Sequence, residues 1–138
     1  MVNSRQKGSR TERFLAQRIT AAGWTARRTG FYQSQAGHDA ADVECKDLPI
    51  HWECKGCERL QLRDWMAQAI GDCRDDQMPV VAWKSKSRPW IAALLLDDLL
   101  MMLQHTDLKS LSEAIVLQKQ QGPDAAQSVT DNVGNCPE

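Results

Sequence analysis

The stretch from residue 42 to residue 55, DVECKDLPIHWECK, constrains the fold most, because polar and apolar side chains alternate on both sides of a turn signal. Residues 46–49 end in a proline and are typical of a hairpin connection. In that register Val43 lies opposite Trp52, and Asp42 lies opposite Glu53. One face is then apolar and the other ionisable, whereas a shift of one residue would mix them. The apolar face carries Val43, Cys45, Ile50, Trp52 and Cys54, and the ionisable face carries Asp42, Glu44, His51, Glu53 and Lys55.

The ionisable face predicts a cation site. Directly opposed side chains have Cβ atoms roughly 5 Å apart, so Asp42 and Glu53 repel each other unless a cation lies between them. Carboxylate oxygens suit Mg²⁺ or Mn²⁺ better than zinc. Lys55, on the same face, could orient a water or offset negative charge, and these groups together are typical of metal-assisted phosphodiester hydrolysis. The alternative is a half-exposed hairpin whose outer face is simply charged.

The tripeptide Glu-Cys-Lys occurs twice in this stretch, at residues 44–46 and 53–55. The second copy has a partner acid, Asp42, on the other strand, whereas the first copy has none on a preceding strand. We therefore predict that the second copy carries the chemistry. Glu44 and His51 are expected to face each other beside the metal pair, as groups at the edge of the substrate or as a solvated salt pair.

The remaining sequence predicts helices and strands around this hairpin. A helix from Ser9 to Gly23 has capping-box spacing between Ser9 and Glu12, and it places Glu12 on the apolar stripe, where it could act as a third acid. Residues 24–30 predict a first strand, and PVVAW and PWIAALLL predict two later ones. The second helix is expected to bury one face, made of Leu62, Trp65, Met66, Ala69, Ile70 and Cys73.

The resulting order, α-β-β-β-α-β-β-α, predicts an α/β fold with a mixed sheet flanked by helices. We expect one main domain in residues 1–106 with a basic arm in residues 1–9. An accessory helix in residues 107–121 and a disordered tail in residues 122–138 would follow. The apolar run IAALLLDDLLMML could bury a dimer interface or belong to an ordinary monomer core.

Composition narrows the class of protein. No apolar run of the 138 residues reaches the roughly 20 residues of a membrane span, and no apolar segment of a secretory signal follows the N-terminus. Because the five cysteines are an odd number and no export signal is seen, we expect them to be reduced thiols in a cytoplasm. We also expect no membrane partner and no small-molecule cofactor. Cys54 and Cys57 could hold zinc with Cys45 and Cys73, or the cysteines could pack as small apolar residues.

Charge is distributed unevenly although the net charge is only −1. Residues 1–28 contain seven Lys or Arg and one acid, while residues 97–138 contain seven acids and two lysines. A basic end on a nearly neutral protein indicates a surface for a polyanion, or else a solvated arm.

Asp42, followed after ten residues by Glu53-Cys54-Lys55, resembles the signature of the PD-(D/E)xK nuclease superfamily. Its setting is similar to that of small phage-encoded resolvase-like nucleases, which in turn resemble archaeal Holliday-junction resolvases. That setting comprises Glu12 on the first helix, then HWECK, WMAQAIGD and PVVAWKSKSRPWIAAL, and the resemblance covers roughly residues 3–100. Two departures are Ala41, where the signature usually has proline, and the Trp52 and Cys54 side chains in place of aliphatic ones.

The resemblance implies a restriction-endonuclease-like fold and a metal-dependent, structure-specific DNA endonuclease in the host cytoplasm. Its expected substrate is the four-way Holliday junction of DNA recombination, its cofactor Mg²⁺ or Mn²⁺, and its active form a homodimer. It implies metal binding by Asp42, Glu53, the backbone carbonyl of Cys54, and Glu12. It also implies that Lys55 is the catalytic lysine and that Gln68 lies near the site, although Gln68 could instead be an ordinary exposed position.

Phosphate contacts are expected from two basic groups, the first near the Glu12 end of the first helix and the second at the KSKSR connection. Their members are Arg5, Lys7, Arg10, Arg13, Lys84, Lys86 and Arg88. Two alternatives remain open. One is a nuclease of the same fold that acts on nicked, flapped or ordinary duplex DNA, and the other is a non-catalytic DNA-binding or recombination-scaffold protein.

Overall fold

A computed structural model of the chain describes residues 4–30 and 40–122. The predicted disordered tail lies outside the described residues, apart from Gly122. The order of the first eight elements is the predicted one, and the ninth is the predicted accessory helix. The elements are α1 (Ser4–Ala21), β1 (Ala26–Arg28), β2 (Val43–Cys45), β3 (Ile50–Gly56), α2 (Leu62–Asp72), β4 (Met78–Lys84), β5 (Ile91–Leu94), α3 (Leu96–Gln104) and α4 (Leu108–Gln120).

The five strands form one mixed sheet in the order β1-β2-β3-β4-β5. Neighbouring strands are antiparallel except β3 and β4, which are parallel and are connected through α2. Val43 pairs with Trp52, so the hairpin register predicted from the alternation is confirmed. The mixed α/β fold predicted from the element order is confirmed as well.

A helix packs on each face of the sheet. On one face, Leu15, Ala16 and Ile19 of α1 pack against a buried cluster that includes Val43 and Cys54. On the other face, Trp65 and Ala69 of α2 pack against Val81, and the rings of Trp65 and Trp83 lie 6.3 Å apart. The ionisable face of the hairpin lies on the α2 side, because Glu53 pairs with Val81 and side chains alternate along a strand.

The face that α2 buries is narrower than predicted. Trp65 and Ala69 are buried, but Leu62 and Ile70 are more than one third exposed, so the prediction was wrong for these two residues. The 11-residue helix contacts the sheet along a narrow line centred on the small side chain of Ala69. Leu62 and Ile70 lie outside that buried line.

The chain divides into two compact units after Leu95, and the second unit contains α3 and α4. Asp107 caps α4, because its carboxylate accepts hydrogen bonds from the backbone N–H groups of Lys109 and Ser110. Neither helix has a buried residue, although both carry many apolar side chains. Within the described part of the chain, no helix is both long enough and apolar enough to cross a membrane.

Candidate active site

Glu53 lies near the middle of β3, a central strand of the sheet, and its side chain is covered on the α2 side. The residue is only 3% exposed, and its Oε1 lies 2.6 Å from the ammonium Nζ of Lys55. Burial and the nearby carboxylate of Asp42 raise the pKa of Glu53, whereas Lys55 lowers it. Burial and Asp42 thus disfavour the charged form of Glu53 more than Lys55 favours it. The alternative of a solvated outer face is wrong for this residue.

Asp42 lies immediately before β2 and is bound to β3 by both its backbone and its side chain. Its N–H donates to the carbonyl of Trp52 (2.9 Å), and its Oδ2 accepts a hydrogen bond from the backbone N–H of Cys54 (2.8 Å). The hydroxyl of Thr29 donates to the backbone carbonyls of Ala41 and Asp42. These bonds hold the backbone at the position where the superfamily signature usually has a proline.

Lys55 is held from two sides. Besides the ion pair with Glu53, its Nζ donates to Oε1 of Gln68 at 3.1 Å. Gln68 lies on α2, so the same helix that covers the buried glutamate also brings an amide oxygen to the lysine. The structure therefore places Gln68 at the site, in contact with Lys55.

Glu12 has a different immediate partner. Its Oε2 lies 2.5 Å from Nε of Arg28 on β1. The carboxylate still lies near the site: burial, followed by the charges of Asp42, Glu12 and Glu53, raises the pKa of the Cys54 thiol. Helix α1 comes close to β3 at this point. The approach is so close that a Cβ atom added at Gly56 would collide with the side chain of Thr11. The role of Glu12 as a metal ligand stays a prediction.

The donor set of Asp42 and Glu53 fits a divalent cation. Both provide carboxylate oxygens, they lie close enough for one charge to raise the pKa of the other, and burial strengthens the need for a counter-charge. In residues 4–30 and 40–122, no group of three or more His, Cys, Asp or Glu side chains is arranged to hold a metal. Remaining coordination positions would therefore fall to backbone oxygen, as predicted for the carbonyl of Cys54, or to water.

The register places Glu44 opposite His51 as predicted, but the two side chains do not form a solvated salt pair. Glu44 binds Arg27, with its Oε2 2.7 Å from Nη2, because the register of β1 and β2 places these two residues side by side. His51 is 1% exposed, and neither ring nitrogen has a hydrogen-bond partner among the described residues. Burial lowers the pKa of His51, while the carboxylates of Asp72 and Asp42 oppose that shift.

Asp72 was not identified from the sequence as a residue near the site. Its charge acts on both Glu53 and His51, so the end of α2 contributes a third carboxylate to this region. The available signal was its spacing, because Asp72 follows Gln68 by four residues and shares its face of the helix.

The cysteines behave as packing residues. Cys45 and Cys54 are buried in the core beneath α1. The thiols of Cys57 and Cys73 donate to the backbone carbonyls of Arg59 and Gln77, respectively. No metal-holding group of cysteines occurs in the described residues, so the packing interpretation is favoured over zinc.

The basic residues occupy two places. Lys7, Arg10 and Arg13 on α1 are exposed, and the guanidinium of Arg10 lies 5.3 Å from the ring centre of Phe14. Arg5 is exposed on the same helix. At the turn between β4 and β5, Nζ of Lys84 donates to the carbonyls of Ser85 and Arg88, which leaves exposed Lys86 and Arg88 as the more available cations there.

Comparison with known proteins agrees with the fold and with the family that the sequence resembles. A solved structure with a similar fold is Hjc, a Holliday junction resolvase from the archaeal hyperthermophile Archaeoglobus fulgidus, with a TM-score of 0.50 and 24% sequence identity. The match covers 64% of this chain and 72% of that one. No curated protein sequence matches significantly. The family described as "Phage putative PDDEXK endonuclease" matches residues 3–133, which confirms the resemblance seen in the sequence. The chain therefore belongs to this phage PDDEXK endonuclease family and has the restriction-endonuclease-like fold of a PD-(D/E)xK nuclease.

Proposed function

We propose that this nuclease is a divalent-metal-dependent, structure-specific DNA endonuclease that cleaves four-way Holliday junctions by phosphodiester hydrolysis. The observation that carries the proposal is the arrangement on β2 and β3, where Asp42 and Glu53 interact and Lys55 is held beside them. The likeness of the fold to a protein named as a Holliday junction resolvase supports the choice of substrate.

Each residue of the site has a distinct task in this proposal. Asp42 and Glu53 would hold the cation, with the backbone carbonyl of Cys54 as a further ligand; Glu12, the other predicted ligand, would first have to leave its ion pair with Arg28. When bound, a divalent cation supplies Lewis-acid stabilisation and a more acidic water. Lys55, fixed by contacts of 2.6 Å to Glu53 and 3.1 Å to Gln68, presents an ammonium that orients the attacking water or offsets charge on the phosphate.

The basic residues would position the DNA through its phosphates. Arg5, Lys7, Arg10 and Arg13 follow α1 toward Glu12, whose helix comes close to the Lys55 end of β3. Lys86 and Arg88, with a weaker contribution from Lys84, would form a second contact area. Each phosphate contact would make binding more dependent on salt concentration.

We also propose that the active form is a homodimer. Helix α3 exposes Leu96, Leu99, Leu100 and Met101, and α4 exposes four more large apolar side chains. Exposed apolar area of this kind indicates a surface that another chain covers. Sedimentation equilibrium should give about twice the monomer mass at micromolar concentration, and Leu100→Glu should shift the distribution toward monomer. A monomeric wild type would remove the dimer from the proposal.

The two Glu-Cys-Lys copies provide a matched test of the site. Purified protein with Mg²⁺ is incubated with a synthetic four-way junction and with linear duplex of the same sequence. Glu53→Gln and Lys55→Ala should each lower the cleavage rate at least a hundredfold, within the range expected for a lost catalytic electrostatic contact. Glu44→Gln and Lys46→Ala, the same changes in the other copy, should leave the rate within about threefold.

The DNA substrates separate the competing functions. Paired nicks on the junction without cleavage of linear duplex support junction resolution. Comparable cleavage of nicked, flapped or linear duplex supports a nuclease of broader substrate range and removes the resolvase assignment. Binding of the junction without cleavage, in Mg²⁺ and in Mn²⁺, supports the DNA-binding scaffold. If Asp42→Asn cleaves as well as the wild type, the site assignment is wrong.

A further inference from the structure

Two loops meet at one edge of the sheet, just past the proposed catalytic lysine. Strands β3 and β4 are parallel and end side by side, since Lys55 pairs with Trp83. The loop after β3 (residues 57–61) and the turn after β4 (residues 85–88) therefore start from the same edge. Ligands of open α/β sheets commonly bind outside the carboxyl ends of parallel strands, so the side chains of these two loops bear on the substrate.

The two loops carry three exposed cations and one acid. The cations are Arg59, Lys86 and Arg88, of which Arg59 has had no role in the proposed reaction. The acid is Glu58, the only Asp or Glu in residues 57–61 and 85–88. By its charge alone, a carboxylate among these cations opposes the binding of a polyanion. Its presence there calls for a different explanation.

The contacts of Glu58 provide one. Its Oε1 accepts a hydrogen bond of 2.8 Å from the backbone N–H of Lys86, so a side chain of one loop binds the backbone of the other. A second connection lies beside it, because the indole N–H of Trp83 donates to the carbonyl of Cys57 at 2.8 Å. These two hydrogen bonds hold the loop after β3 against the turn after β4.

We infer that Arg59, Lys86 and Arg88 form one phosphate-binding surface, and that Glu58 is a positioning residue that holds its two halves together. The inference rests on the proposed function, because the ligand is the phosphate backbone of the DNA that is cut. Loops are commonly mobile, and ordering them costs binding free energy. A hydrogen bond that is made before the DNA arrives removes part of that cost. The geometry of Glu58 thus aids the binding of DNA although its charge opposes it.

Two variants of Glu58 separate its geometry from its charge. Glu58→Gln and Glu58→Ala remove the same charge, but glutamine keeps an oxygen that can accept the bond from Lys86. Binding of a labelled four-way junction is measured by fluorescence anisotropy in EDTA, because the surface requires no metal. Glu58→Ala should bind roughly two- to tenfold more weakly than Glu58→Gln, which corresponds to the ordering of one side chain. Asp64, an exposed acid in the first turn of α2, is the control, and Asp64→Ala and Asp64→Asn should agree within about twofold.

The salt dependence of binding tests the cation that is newly assigned. Loss of one phosphate contact should lower the slope of log K against log salt concentration by about 0.9, and we expect this for Arg59→Gln. Arg74 is the matched control, because it lies past the other end of α2, about 16 Å along a helix of 11 residues, and pairs with Asp76. Arg74→Gln should leave the slope unchanged. Urea unfolding midpoints equal to that of the wild type would show that these effects do not come from lost stability.

The outcomes separate this inference from the proposed nuclease. If Glu58→Ala binds as tightly as Glu58→Gln, or more tightly, the positioning role of Glu58 is overturned. An unchanged slope in Arg59→Gln removes Arg59 from the surface. If the wild type cleaves the junction in Mg²⁺ but does not bind it in EDTA, the surface is overturned and the proposed nuclease stands. If the wild type neither binds nor cleaves DNA, the proposed function fails, and this inference fails with it.

Discussion

Two consecutive arginines on β1 make matched ion pairs whose contributions to stability should differ. Arg28 binds Glu12 at 2.5 Å, with side chains that are 35% and 16% exposed. Arg27 binds Glu44 at 2.7 Å, with side chains that are 66% and 40% exposed. Arg27 reaches Glu44 through both Nε and Nη2, whereas Arg28 reaches Glu12 through Nε, so a larger coupling for Arg28 with Glu12 would point to burial rather than to the number of contacts.

The expected magnitudes follow from that exposure. A hydrogen bond to a charged group contributes about 1.5–3 kcal/mol, and partial solvation of Arg28 lowers the expected coupling with Glu12 to about 1–2 kcal/mol. An exposed pair typically contributes about 0.2–1 kcal/mol, so we expect about 0.5 kcal/mol for Arg27 with Glu44. With urea m-values of about 1–3 kcal/mol/M, a difference of about 1 kcal/mol moves the unfolding midpoint by a measurable fraction of a molar.

Double-mutant cycles measure these couplings. Each arginine and each acid is changed to glutamine, singly and in its pair, and urea unfolding is followed by the fluorescence of the five tryptophans in EDTA. EDTA removes divalent metal, so a change in metal binding at Glu12 cannot contribute to the result. Equal couplings for the two pairs, or a larger coupling for Arg27 with Glu44, would refute the reasoning from burial.

Three further predictions concern other parts of the chain. Gly56→Ala should destabilise the protein by about 1–3 kcal/mol because its Cβ would displace Thr11, whereas Gly71→Ala, with no neighbouring atom within 4 Å, should be neutral or stabilising in the same urea assay; equal effects would contradict this. Gln68→Leu should lower kcat roughly ten- to a hundredfold with KM unchanged, because Lys55 loses one of its two contacts, and Gln61→Leu, at the N-cap position of the same helix, where the side chain makes no capping hydrogen bond, is the control that should retain full activity. The Ser110 hydrogen bonds lower the pKa of Asp107, so the cap should stabilise α4 above the unfolded-state pKa of Asp107 and be lost as pH falls through the lower folded-state pKa; the Ser110 amide resonance should follow this titration in the wild type and not in Asp107→Asn.

The register of the hairpin could be predicted because it depends on local information. The residues that pair are separated by a short turn, and an alternation of period two fixes which side chains share a face. Val43 accordingly lies opposite Trp52, and the ionisable residues share one side of the sheet. The same pattern could not reveal that Glu53 is buried, because period two says which face a residue occupies but not what covers that face.

The connection between the parallel strands β3 and β4 buries the face that carries Glu53. A parallel pair requires a crossover, and here the crossover contains α2, which lies on the face that carries Glu53. Alternating strands are typical of a sheet with one solvated face, so the sequence pattern favoured exposure. The ion pairs that Arg27 and Arg28 of β1 form could not be predicted either, because a long connection separates β1 from β2 and the sequence does not fix their register.

The two copies of Glu-Cys-Lys show that the capacity of a glutamate for chemistry depends on its position in the sheet, because the same tripeptide lies in two different environments. In the first copy, Glu44 lies beside the edge strand β1, where Arg27 and solvent satisfy its charge. In the second copy, Glu53 lies on a central strand beneath a helix, where burial and Asp42 raise its pKa and Lys55 cannot fully compensate. Removal of Arg27 would therefore return Glu44 to water without making it a ligand, because an exposed carboxylate has no unmet need for a cation. The proposed cation site therefore lies where the sheet and α2 together exclude solvent, and that is the position of the second copy.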